Sequence, residues 1–417
     1  MTALIMGGLI LSGGMQRLSA VFSMPETKRY CLFFVIMVLG IPFAYHRRVA
    51  FEYIFLTYSI NILFFLILVA EVNSRERLKS LVWIICLSAF LYGFYGFKEG
   101  YSYLGRFQIY GGMFDSNDIA GVLLSTFPIC IFYLFHRESL FKTVVALIAV
   151  LSSVMVILMT GSRGGFLGFA AVIAMVLCTK TGGVKRIHKL MFLVALSAVV
   201  LFLGDRINTE RYWSLTDLSS DYNVTGEEGR KQIWSRAIDL ILGHPFTGVG
   251  VDCFPMAIGG VRSTLGILPK WQGAHNSYLQ VASEVGLFGF IAFVSLSFIT
   301  FRTLVRASRI TAGSAEARQV RTLAGLMFLA FLGHSVTAFF LSQGYSIFFT
   351  LFFALAAIIR RLLISVVHER NDISRAAFRT RETPLSINRS RTFVAAKRSF
   401  GTNRRLHRNT MTSGYDK

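Results

Sequence analysis

The sequence predicts an all-α polytopic transmembrane helical bundle, and three observations carry that prediction. The 417-residue chain is 54% hydrophobic and only 16% charged, whereas soluble domains carry about 25% charged residues. Its apolar residues fall into repeated runs long enough, or nearly so, to cross a bilayer, which takes about 20 residues as a helix. One large polar stretch interrupts those runs late in the chain. So apolar a composition excludes a disordered polypeptide. In a bilayer every backbone polar group must be satisfied internally, which leaves helices as the reading for these runs.

The runs lie at 30–46, 50–70, 81–97, 118–135, 144–161, 164–178, 190–204, 277–301, 322–342 and 345–364. Residues 1–22 form a weaker candidate, lacking the basic n-region of a cleaved signal peptide. The expectation is about eleven to twelve spans. The organisation expected is N-terminal transmembrane helices over 1–204, a large outer loop over 205–275, C-terminal transmembrane helices over 276–364, and a basic, disordered tail over 365–417.

The net charge of +21 does not indicate nucleic acid. Residues 360–417 hold 14 Lys/Arg against 4 Asp/Glu, so about half the excess sits in one tail, and most of the rest clusters in short loops. That is the distribution of topology-setting charge and anionic-lipid contact. Loop 179–189 (Lys180, Lys185, Arg186, Lys189) and loop 302–321 (Arg302, Arg306, Arg309, Arg318, Arg321) should be cytoplasmic, with the tail. Alternation puts Lys28/Arg29, Arg75–Lys79 and Arg137–Lys142 on the same side. It puts 98–117, the Ser162–Arg163 turn and 205–275 outside. His46, Arg47 and Arg48 also fall outside, against the rule.

Cys31, Cys86, Cys130, Cys178 and Cys253 form neither a CxxC motif nor an even set, so neither a disulfide framework nor a zinc site is indicated. There is no Walker A motif, no HExxH and no dense carboxylate cluster, which leaves nucleotide hydrolysis and zinc proteolysis without support. No cofactor is implied.

Four segments could carry chemistry. In Thr160-Gly161-Ser162-Arg163-Gly164-Gly165, Arg163 joins two apolar runs at the outer surface. Such an arginine can donate bidentate hydrogen bonds to phosphate or simply snorkel from a helix end; both readings stand. The stretch from Gly226 through Ile238 reads as an amphipathic helix, with Ile233, Trp234, Ala237, Ile238 and Ile241 at helical spacing, Glu227 and Glu228 in its first turn, and Gly243 and Pro245 marking its end. Arg230 is its candidate ligand, while Lys231 and Arg236 read more simply as a solvated face. Gly248-Val249-Gly250 reads as a turn after that helix.

Last comes His275-Asn276-Ser277-Tyr278-Leu279-Gln280. Ser277 with Gln280 reads as a capping box opening a membrane helix. His275 then sits at a helix N-terminus, where the dipole keeps imidazole neutral and able to accept a proton. Glu284 is a carboxylate inside that helix, a functional candidate by default or a polar packing partner. Two arginines and a histidine on one outer face suit a phosphate-bearing, membrane-held substrate and a hydroxyl that needs a base.

These residues resemble the O-antigen ligase/polymerase superfamily of integral-membrane glycosyltransferases. The resemblance rests on Gly161-Ser162-Arg163-Gly164-Gly165; on Arg230 followed by Trp234 and Pro245-Phe246-Thr247-Gly248-Val249-Gly250; and on His275 through Gln280 with Glu284-Val285-Gly286-Leu287. Asp115-Ser116-Asn117-Asp118 adds a weaker match. The resemblance covers about residues 50–365 and not the tail. It implies a bacterial inner-membrane protein with one large periplasmic loop and a cytoplasmic C-terminal tail. It implies a polyprenyl-diphosphate-linked glycan donor and a lipid, protein or glycan acceptor. Arg163 and Arg230 would engage the diphosphate and His275 would activate the acceptor hydroxyl, with Arg236, Asn276, Tyr278 and Glu284 as supporting candidates and no metal. The implied enzyme is a metal-independent, inverting glycosyltransferase: a ligase, or a polymerase joining lipid-linked repeat units by the same chemistry. Readings from other classes are a transporter of lipid-linked glycans, for which few charges lie inside the spans, and a scaffold working with other polysaccharide-assembly proteins.

Overall fold

The structure, a computed structural model, describes residues 14–103, 106–109, 115–178, 186–216, 226, 229–264, 266, 271–311 and 313–382. Among these, seven helices are long and apolar enough to cross a membrane, and two shorter apolar helices accompany them. The chain is an all-α polytopic bundle.

Helices α1 (Gly14–Ser23) and α2 (Pro25–Gly40) come first. Helix α3 (Arg47–Glu71) includes a π-helical turn at Tyr53–Tyr58. Helix α4 (Arg75–Glu99) leads into a hairpin, β1 (Gly100–Tyr103) and β2 (Arg106–Ile109). Helix α5 is Ser116–Cys130, with a last turn at Phe132–Phe135; then come α6 (Leu140–Met159), α7 (Arg163–Cys178) and α8 (Arg186–Leu203). The described part of the large loop contributes three helices: α9 (Thr209–Trp213), α10 (Arg230–Gly243) and α11 (Phe254–Thr264). Helices α12 (Ser277–Ser308), α13 (Ala315–Ala338) and α14 (Ile347–Glu382) close the order. The last helix thus runs well past the apolar run that predicts it. Of the second unit, which begins at Glu369, the described part up to Glu382 is helical. The expectation of a disordered tail otherwise falls on 383–417, outside the described residues.

Helix α13 is the centre of the bundle. It packs against α5, α7 and α12, and α12 in turn packs on α2; α4 lies against α5 and α6. Serines at the N-cap start three of these helices: Ser74, Ser139 and Ser314 accept from the backbone N–H groups of Arg77, Lys142 and Ala317. On the outside, Leu39, Leu56, Phe94, Leu201 and Phe298 are exposed, as lipid-facing positions should be.

The predicted sidedness is visible as contacts. Arg75 pairs with Glu316 at 3.7 Å, and Glu138 bridges Lys79 at 3.1 Å and Lys142 at 2.9 Å, so three of the basic loops share one face. On the opposite face Tyr45 N–H donates to Val249 O at 2.7 Å and Cys253 Sγ to His46 O at 3.5 Å. His46–Arg48 therefore does lie with the large loop. Arg48 is balanced there by Glu52 at 2.7 Å.

A charge network the sequence did not disclose ties three helices together. Glu26 is fully buried. Both its oxygens accept from Arg360 Nε, at 2.8 and 2.9 Å, and Oε1 also accepts from Thr303 Oγ1 at 2.8 Å. The network links α2, α12 and α14. Glu26→Ala should cost about 3 kcal/mol of stability, at the low end for a broken buried pair because Arg360 is partly exposed. Thermal unfolding in detergent would show a lower transition for Glu26→Ala. The Glu26→Gln/Arg360→Met double variant should recover part of it, since no uncompensated charge remains.

Candidate active site

The turn after α13 gathers the three sequence segments. A methyl group added at Gly164, at the start of α7, would meet Phe340 Cβ at 2.7 Å, so α7 packs backbone-close against that ring. The Arg230 guanidinium, at the start of α10, lies over the same ring with its carbon 5.8 Å from the centroid, a cation–π contact. Phe339 packs against Trp234, with centroids 5.5 Å apart, and against Tyr278 at 6.2 Å. Trp234 Nε1 donates to Ala274 O at 3.2 Å. His275 N–H donates to Ser342 Oγ at 2.8 Å. Phe339, Phe340 and Ser342 belong to no motif, and nothing in the local sequence marks them. Only their position on the turn between α13 and α14 gives them this role.

Each predicted residue has a definite place. Arg163 opens α7, is 8% exposed, and donates through Nη1 to Ser214 Oγ at 3.3 Å. The charges of Arg163 and Arg230 lie close enough to act on each other, and Arg230 acts in the same way on His275. His275 is one of two described non-glycine residues with a left-handed backbone, φ 48°. Such strain persists only where its surroundings hold it, and it clusters at functional sites. Partial desolvation by the surrounding protein and the Arg230 charge lower the His275 pKa below its ordinary 6.5, and Asp115 opposes them. Its imidazole is thus neutral at physiological pH, the form that accepts a proton. Burial and the neighbouring Arg106 charge likewise lower the Arg230 pKa.

The cap of α12 differs from the expectation. Asn276, not Ser277, is the N-cap, and its Oδ1 accepts from Tyr278 N at 3.0 Å and Leu279 N at 3.1 Å. Ser277 instead donates to Leu341 O at 2.7 Å and accepts from Gln343 N at 2.9 Å, while Gln280 Oε1 accepts from Gly344 N at 3.2 Å. The side chains expected to cap the helix hold the Phe339–Phe340 turn instead. Tyr278 adds to this through a 3.0 Å hydrogen bond to Ser335 O.

Helix α10 begins at Arg230 with Gly229 as its cap; Glu227 and Glu228, expected in its first turn, lie outside the described residues. Arg236 is six positions along from Arg230 and so points from a different flank of the helix. No interaction among the described residues ties it to Arg163, Arg230 or His275. Lys231 is exposed, as a solvated face requires.

Glu284 is fully buried, and its Oε1 accepts from Phe254 N at 3.1 Å. Two residues later α12 breaks at Gly286, φ 70°. The break frees carbonyls that an unbroken helix would use, and the Gly248-Val249-Gly250 segment takes them. Val249 N donates to Ser283 O at 2.8 Å and Gly250 N to Glu284 O at 2.9 Å, while Leu287 N donates to Pro245 O at 2.7 Å. A Cβ at Gly286 would lie 2.4 Å from Phe246 O, so only glycine fits. The GxG segment is therefore more than a turn: it splices the large loop onto a broken helix. Glu284 belongs to that splice. Glu284→Ala should cost about 1–3 kcal/mol by orphaning the Phe254 N–H, and Glu284→Gln, which keeps an acceptor, less than 1 kcal/mol. Melting curves would separate them. A Glu284→Gln variant that folds normally but loses all activity would instead make the carboxylate chemically active.

Asp115 caps α5, accepting from Asn117 N at 2.7 Å and Asp118 N at 2.9 Å. It also acts electrostatically on Arg106, Arg230 and His275. Gln343 Nε2 donates to Asp118 Oδ1 at 2.9 Å, which joins this weaker motif to the same turn.

Residues 147–294 match the family model described as O-antigen ligase; no curated protein matches the chain. The matched segment runs from α6 into α12 and contains Arg163, Arg230 and His275, the three residues that the Phe339–Phe340 turn draws together. Over that segment the chain is similar to the O-antigen ligase family, whose members act in polysaccharide biosynthesis.

Proposed function

We propose that the protein transfers a glycan from a polyprenyl-diphosphate carrier to an acceptor hydroxyl at the periplasmic face of the bacterial inner membrane, with the C-terminal tail in the cytoplasm. The observation that carries this reading is the guanidinium pair of Arg163 and Arg230 beside His275, with Gly164 and Arg230 both against the Phe340 ring. Loss of the sugar leaves negative charge on the bridging diphosphate oxygen, and fixed guanidinium groups stabilise it. His275 takes the acceptor proton as the acceptor oxygen attacks the anomeric carbon. A single displacement of this kind inverts that carbon, and no metal enters the scheme.

The test uses purified protein in nanodiscs with a matched polyprenyl-diphosphate oligosaccharide, read by mass spectrometry. Transfer to an added lipid-A-core or protein acceptor is the expected result and marks a ligase. A ladder of repeat units without such an acceptor marks a polymerase. No transfer in either case overturns the reading in favour of transport or scaffolding.

A further inference from the structure

Two more arginines stand beside Arg163. Arg106 lies on β2 and Arg211 on α9, far apart in sequence, and both side chains press on Gly161. A Cβ there would meet Arg211 Cδ at 3.2 Å and Arg106 Cγ at 3.8 Å. Arg211 Nε donates to Gly161 O at 3.2 Å. Arg106 Nη2 donates to Asn117 Oδ1 at 2.9 Å, an atom that also accepts from Ser162 Oγ at 2.9 Å. The short helix bearing Arg211 is itself fastened down: Tyr212 Oη donates to Leu158 O at 2.8 Å, its ring packs 4.7 Å from Phe166, and Ser214 meets Arg163. Arg106 and Arg211 each act electrostatically on Arg230. Like charges repel, so a cluster of this kind costs stability unless an anion fills it. Within the cluster Asp115 is the carboxylate partner that Arg106 and Arg230 share.

We propose that Arg106 and Arg211 bind the leaving diphosphate, completing with Arg163 and Arg230 a basin matched to the released polyprenyl diphosphate rather than to the glycosylated donor. This rests on the transfer reading above. In that step the acceptor oxygen bonds to the anomeric carbon as the bond from that carbon to the diphosphate oxygen breaks. The electron pair stays on the diphosphate, and the acceptor proton passes to His275 and then to water. The diphosphate therefore gains one negative charge. Two guanidinium groups suit the donor, and the two further ones, offset by Asp115, answer the charge that appears only as the bond breaks. Interactions stronger after bond breaking than before it are those that speed the step. The same match makes the released carrier lipid a tight ligand. The anchors hold the Nε edge of Arg211 and one Nη of Arg106, fixing the orientation of each fork before the anion arrives.

The test is binding of undecaprenyl diphosphate, against undecaprenyl monophosphate, to the full-length protein in detergent, followed by thermal shift. Wild type should prefer the diphosphate by at least about tenfold, and Arg106→Gln or Arg211→Gln should each weaken diphosphate binding by about tenfold, as loss of a charge-assisted hydrogen bond requires. Arg211→Lys, which keeps the charge but not the fork, should recover part of the loss. Arg48→Gln, which alters an exposed arginine of the same face, should bind as wild type does. Diphosphate affinity within about twofold of wild type in both glutamine variants, or no preference for diphosphate in wild type, overturns the proposal. If the arginine dependence holds but a matched donor and acceptor give no transfer, the transfer reading falls and the basin stands. If transfer is seen and depends on Arg163 but neither Arg106→Gln nor Arg211→Gln weakens diphosphate binding, the basin falls alone.

Discussion

Arg163→Ala should reduce glycan transfer by about 10²–10³-fold, the effect of removing one fixed donor from a developing oxyanion, while the protein still inserts and folds. Arg163 is 8% exposed at the start of α7 and contacts Ser214 of the large loop. It is thus held on two sides before any substrate arrives, so stabilising the leaving charge requires little rearrangement. Arg163→Lys should recover only part of the rate, because a point charge does not reproduce the planar fork. Initial rates in nanodiscs, normalised to folded protein, provide the check. A folded Arg163→Ala protein with unchanged turnover would remove Arg163 from the diphosphate site and return it to the snorkelling role.

His275→Ala should lower kcat by about 10²–10⁴-fold, the range for loss of a positioned general base. The pH profile is the sharper measurement. Transfer needs neutral imidazole, so kcat/KM should fall on the acid side as His275 protonates. Partial desolvation of His275 and the charge of Arg230 place that limb below the ordinary histidine value of 6.5. Removing the Arg230 charge removes a cause of the depression, so Arg230→Gln should move the acid limb to higher pH as well as slowing transfer. Asp115→Asn removes an opposing charge and should move the limb lower. A limb unmoved in both variants would mean that a group other than His275 takes the proton.

Much of this architecture is legible without coordinates. Hydropathy alone locates the long helices, because a spanning helix must be apolar over its own length and that requirement is local. The opposed placement of the basic loops follows from charge counting, and the Arg75–Glu316 and Lys79–Glu138 pairs bear out their common side. Arg163 and His275 are visible because each sits at the end of an apolar run, where chain direction and membrane depth are already known. The capping expectation for Ser277 and Gln280 went wrong one residue away from the real cap. Asn276 is an equally good cap by type, and only the turn after α13 decides which side chain is drawn off to hold Leu341 and Gly344.

What the sequence by itself determined is the class of the protein and the rough limits of its long apolar helices, of which seven among the described residues are long enough to span against the eleven to twelve expected; it also picked out the two arginines and the histidine that the fold brings together. Those properties depend on residue type and local period. The tertiary structure alone decided that Phe339 and Phe340 join the three segments, that Val249 and Gly250 repair the break at Gly286, that Glu26 meets Arg360, and that Arg106 and Arg211 flank Gly161. Each of these brings together residues from separate helices or loops, and nothing in the local pattern of one segment encodes which distant carbonyl, ring or charge will lie against it. That pairing is set by how the helices pack around α13.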